Sequence, residues 1–140
     1  MKYYTIDKRD KTTKSGRTYY RADEYRSLKS LKAALFSAAK HGHELFAARE
    51  LELKVSFDDE SSTKNEEGHY FLVYRTQKYS SGGYSDDGGY YYEYTAEEFG
   101  GTRSLLESMY SGVFCSEAIP AQGLEYKIEL LLGETKLGGN

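Results

Sequence analysis

At 140 residues, with 39% hydrophobic and 29% charged residues and a net charge of −3, the chain has the balance of a soluble globular domain long enough to bury a core. No apolar run approaches the roughly 18–20 residues of a membrane-spanning helix, and the opening Met1–Asp10 has no apolar signal core. A single cysteine, Cys115, excludes an internal disulfide, so the expected compartment is the cytoplasm.

Tyr3–Lys8 reads as a strand, Lys11–Gly16 as turn chemistry and Thr18–Ala22 as the returning strand, which together make a hairpin. Ser27 is a good N-cap, and Leu28, Leu31, Leu35 and Ala38 then recur at helical spacing, with Gly42 as the stop. Leu45–Ala48 is expected to be a connecting turn or short helix. Leu51–Phe57 alternates apolar and polar residues and reads as a half-buried strand. Residues 58–68 are polar and charged throughout and read as an exposed linker.

The same order then returns. Tyr70–Arg75 matches Tyr3–Lys8 at an offset of 67, and Ala96–Gly112 matches Ala22–Ala38 without a gap at an offset of 74. Leu124–Leu130 matches Leu51–Phe57 at an offset of 73. The second helix is expected to start at Thr102 and to bury Leu105, Leu106, Met109 and Val113. Spacing, order and residue type thus describe an internal duplication of a β-β-α-β unit. Repeat one spans 2–57, repeat two 69–133, and 134–140 form a loose tail. The second hairpin is longer by about seven residues, all within Ser80–Gly89.

Right-handed crossovers place each helix on one sheet face. The expected architecture is therefore α+β, one six-stranded, largely antiparallel sheet with two helices on one face, forming a single domain. Tyr4, Ile6, Phe71 and Val73 are expected to face the helices. Tyr3, Thr5, Tyr70, Leu72 and Tyr74 are expected to form a Tyr-rich opposite face, open to a partner or to a second copy in a homodimer.

Charge is distributed unevenly. Residues 1–57 hold 13 Lys/Arg and 7 Asp/Glu, which leaves a second half rich in acid. The stretch Tyr79–Tyr94 mixes Tyr, Ser, Gly and Asp, a composition that gives large contact area with adaptable hydrogen bonding. It nominates Tyr79, Tyr84, Asp86, Asp87, Tyr90 and Tyr91 as a protein-binding loop. Acidic residues including Glu66, Glu67, Glu93, Glu97 and Glu98, with Asp58, Asp59 and Glu60, extend it into a surface suited to a basic partner. On the first hairpin, Lys8, Arg9, Lys11, Lys14, Arg17 and Arg21 nominate an alternative, a nucleic-acid contact with Tyr19 and Tyr20 as stacking rings. A third reading is a small-ligand pocket between the repeats or between two chains.

No catalytic constellation assembles, so an enzyme is not expected. His41, His43, Glu44 and His69 are too few and too scattered for a zinc site, and Asp86-Asp87 lacks the further oxygens of a calcium loop. No metal or cofactor is expected. Cys115 reads as a small apolar core residue. The helix start Ser27–Ala34 after a Tyr-rich hairpin resembles small accessory proteins of phages and mobile elements. That resemblance implies an inhibitor or adaptor acting on a protein of a bacterial host, such as a nucleic-acid-processing or defence factor.

Overall fold

The computed structural model describes residues 1–52, 65–80, 88–110, 116–126, 128–131 and 134–137. The first hairpin pairs β1 (Tyr3–Lys14) with β2 (Arg17–Tyr25). Its turn is two residues, Ser15 at φ 55° and Gly16 at φ 78°. Positive φ at both central positions matches the right-handed twist of the flanking strands, and glycine adopts it without a Cβ clash. The chain then enters α1 (Leu28–Lys40), whose cap Ser27 accepts from the backbone N–H of Ser30 at 3.1 Å. Gly42, at φ 73°, follows its end.

The third described strand is β3 (Phe46–Glu50), within and beyond the segment expected to be a turn or short helix. Leu51 and Glu52 lie past its end, residues 53–57 lie outside the described residues, and Leu45–Ala48 is largely strand rather than turn or helix. The short Phe-Ala-Ala-Arg-Glu segment lacks alternation because Ala47 and Ala48 are both buried, one on each face of the sheet. The second unit runs through β4 (Glu67–Ser80), β5 (Gly89–Gly101), α2 (Thr102–Tyr110) and β6 (Ser116–Leu124). A small separate hairpin follows, β7 (Ile128–Leu131) with β8 (Glu134–Leu137). Leu124–Leu130 is therefore split between the end of β6 and β7, and part of the expected tail is strand.

The six main strands form one antiparallel sheet, in the order β1-β2-β5-β4-β6-β3, closed by the pairing of β3 with β1. Each unit is a three-stranded piece with β1 or β4 in the middle. Closure joins β2 to β5 and β3 to β6, so none of the six is left at an outer edge of the sheet. The two ladders correspond in register. Ile6 pairs Ala22 and Phe46, while Val73 pairs Ala96 and Ile119. At the seams, Arg21 pairs Thr95, its counterpart at an offset of 74, and Arg49 pairs Gln122, its counterpart at 73. A residue can pair its own counterpart only on a two-fold axis, so an approximate two-fold crosses the barrel through both seams.

Closure decides the core. Tyr4, Ile6, Ala22, Ala48, Phe71, Val73, Ala96, Ile119 and Ala121 fill the barrel interior. Tyr3, Tyr25 and Ala47 instead lie outside, under Leu31 and Leu35 of α1. Tyr70, Leu72 and Tyr74 lie outside under Leu105 of α2, with Met109 against them. The expected facing is thus reversed: Tyr4, Ile6, Phe71 and Val73 point away from the helices, and the Tyr-rich set is covered by them. The run Tyr70–Tyr74 is buried at every position. A continuous apolar run is the mark of a strand covered on both faces.

Candidate functional site

At each mouth of the barrel a carboxylate is held between cationic and aromatic groups. At one, Glu98 Oε2 lies 2.6 Å from Lys8 Nζ and 2.6 Å from His69 Nε2. The Lys8 ammonium also sits 4.2 Å from the Phe46 ring centroid. Burial opposes ionisation of Glu98, but the hydrogen bonds from Lys8 and His69 outweigh it and hold the carboxyl below its usual range. A Cβ at Gly123 would come within 2.8 Å of His69 Nδ1, so glycine there lets the imidazole lie against the strand. At the other mouth the counterpart carboxylate, Glu24, accepts from the Tyr4 hydroxyl at 3.2 Å and lies 3.8 Å from Lys2 Nζ. Burial, then the charge of Glu24, pushes the Tyr4 phenol far up.

The tip of the first hairpin is locked to the second unit. Arg17 donates from Nε to Glu97 Oε2 at 2.7 Å and from Nη2 to Glu97 Oε1 at 2.5 Å. Tyr74 donates to the same carboxylate at 3.0 Å, and Arg17 also reaches Ser108 of α2. Burial first, with the hydrogen bond to Glu97 adding to it against a bond with Ser108, pushes the Tyr74 phenol up to about 12.

These pairings remove residues from both surfaces nominated by sequence. Of the basic set, Arg17 is spent on Glu97, Lys8 on Glu98, and Arg9 on Asp7 at 2.9 Å and on His43. Lys11, Lys14 and Arg21 remain exposed. Of the acidic set, Glu97 is buried, and the exposed Glu98 is engaged by Lys8 and His69. His41 bonds the Ser37 carbonyl at 2.8 Å, and the described residues contain no group of three potential metal ligands.

The nominated loop belongs to an arm. β4 and β5 stay paired from Thr76–Glu93 out to Ser80–Gly89, past Thr76–Ser116, where the β4–β6 ladder ends. Tyr84, Asp86 and Asp87 lie outside the described residues, as does Cys115. Tyr79 and Tyr90 face each other across the arm, ring centroids 5.2 Å apart, and are 62% and 72% exposed. Tyr92, which sequence reading passed over, extends this face, and the Arg75 guanidinium lies 4.5 Å from its ring centroid. Tyr91 points to the opposite face by the alternation of the strand. Period-two spacing (Tyr90, Tyr92) across from Tyr79 was the signal available for finding Tyr92.

Two concavities accompany these features. A groove of about 1020 Å³ lies beside α1 and is lined by apolar side chains including Leu28, Leu31, Leu35 and Phe46. A smaller groove of about 420 Å³ follows the β2–β5 seam. No protein-family model, curated protein or solved structure matches the chain. No described helix is long and apolar enough to cross a membrane.

Proposed function

We propose that the chain is a non-enzymatic binding protein that holds a partner protein through the β4–β5 arm. The observation that carries this reading is the clustering of Tyr79, Tyr90, Tyr91 and Tyr92, all substantially exposed, on one two-stranded projection. Exposed aromatic area concentrated on a projection is what interface cores use, since tyrosine buries a large ring at low entropic cost. The barrel beneath supplies a rigid base, so little order is lost on binding. The resemblance of Ser27–Ala34 to phage and mobile-element accessory proteins supports an inhibitor or adaptor acting on a bacterial host protein. The descent of both units from one ancestral β-β-α-β unit is part of the same proposal. A binding arm lengthened in one copy is a natural place for acquired function.

The test is affinity capture from bacterial lysate with the tagged chain and a Tyr79→Ala/Tyr90→Ala variant, both after nuclease treatment. A stoichiometric protein recovered by the parent and lost by the variant, with unchanged melting temperature, is the expected result. Equal recovery by both removes the arm from the interface. Recovery of nucleic acid alone in untreated lysate would transfer the function to the exposed Lys11, Lys14 and Arg21.

A further inference from the structure

The groove along the β2–β5 seam lies on the outer surface of the barrel, on the two-fold axis, where Arg21 pairs Thr95. Strand alternation sends Tyr20, Ala22, Tyr94 and Ala96 into the interior core and their odd-numbered neighbours outward. α1 and α2 pack over the two units on either side, which leaves the seam between them open. A bulge in β1, where the register slips between Asp7 and Lys11, brings Asp10 to the same groove.

Groups of both signs converge there without pairing one another. Arg21, Asp10 and Asp23 line one groove yet make no ion pair or hydrogen bond among the described residues. Thr12 and Thr95 add hydroxyls, and Glu93, held loosely at 4.0 Å by Lys78, adds a third carboxylate. Tyr19 and Tyr91 supply rings. Tyr19 is fixed by an edge contact to Tyr74 at 5.7 Å between centroids, while Tyr91 stands 46% exposed.

We infer that this groove binds a neutral saccharide. Carboxylates outnumber the single guanidinium, so a phosphate-bearing ligand meets like charge. A ligand that is neutral and both donates and accepts at every hydroxyl satisfies the carboxylates, the guanidinium and the threonine hydroxyls together. The C–H faces of a sugar ring match the apolar faces of Tyr19 and Tyr91. The volume lies within the range of small-molecule sites, about 300–1,000 Å³.

The test is isothermal titration of the full chain with chitotriose, maltotriose and mannotriose, with a dinucleotide as anionic control. Co-sedimentation with insoluble chitin or starch then distinguishes a polymer surface from a free oligosaccharide. The expected result is saturable binding of at least one neutral sugar, weakened at least tenfold by Arg21→Ala and by Tyr91→Ala and unchanged by Tyr79→Ala/Tyr90→Ala. Because that double variant belongs to the arm, loss of protein capture and loss of sugar binding are read separately. The inference is overturned if no neutral sugar binds, if the dinucleotide binds more tightly, or if both groove variants keep parental affinity.

Discussion

Replacing Arg17 with alanine tests the lock between the first hairpin and the second unit. The substitution removes two charge-assisted bonds to Glu97 and leaves that carboxylate, whose side chain is 11% exposed, with Tyr74 alone. Breaking a fully buried pair from one side costs about 3–5 kcal/mol, and an exposed pair contributes about 0–1 kcal/mol. Arg17 keeps 36% of its side-chain surface, so the cost lies between these limits, at about 2 kcal/mol. For a chain of this length that is a fall in melting temperature of about 6–8 °C. The control is Arg103→Ala, whose i,i+4 partner Glu107 lies 3.7 Å away with both side chains about 70% exposed. It should change stability by less than about 0.5 kcal/mol. Urea denaturation of Arg17→Ala, Glu97→Gln and the double variant gives the coupling directly. A coupling energy indistinguishable from that of the Arg103–Glu107 pair would refute the argument that burial makes the lock strong.

The closed barrel predicts that neighbouring residues of β4 are costly on both faces. Phe71→Ala should destabilise by about 3–5 kcal/mol and Leu72→Ala by about 2–5 kcal/mol, measured by denaturation. A small effect at either position would mean a sheet covered on one face. At the first mouth, the folded-state pKa of Glu98 lies below its ordinary value of 4.5. Its stabilising contribution is therefore complete above that value and is lost as pH falls through the folded-state pKa. Glu98→Gln should flatten the stability profile below pH 4.5 relative to the parent, and coincident acid limbs would sink this assignment.

Much of the secondary structure was legible from local chemistry. Ser27 and Gly42 bound α1 because a hydroxyl cap and a positive-φ stop act within one turn of chain. Ser15-Gly16 marked the hairpin for the same reason. The counterparts at offsets of 67 and 74 were also visible, and the ladders place those residues in corresponding registers. β3 was missed because Phe-Ala-Ala-Arg-Glu is too small-sided to show a period, and the alternation of Leu124–Leu130 marked one strand where the chain divides between β6 and β7. The candidate site was legible only in part. Tyr79, Tyr90 and Tyr91 stood out by composition, but their division between two faces of an arm depends on where β6 stops pairing with β4.

By itself the sequence determined the α+β class, the helix caps, the first hairpin and the paired order of elements, because each rests on contacts within a few residues. Tertiary structure decided which face is inside. Whether a six-stranded sheet lies open or closes depends on β3 meeting β1 and on β2 and β3 meeting β5 and β6, contacts between segments distant in sequence. Closure turned the Tyr4 and Phe71 faces inward and covered Tyr70 and Tyr74 with α2. It also brought Arg17 to Glu97, 80 residues away, and Lys8 to Glu98, 90 residues away, so that charges which read as open surface became the bonds holding the two units together.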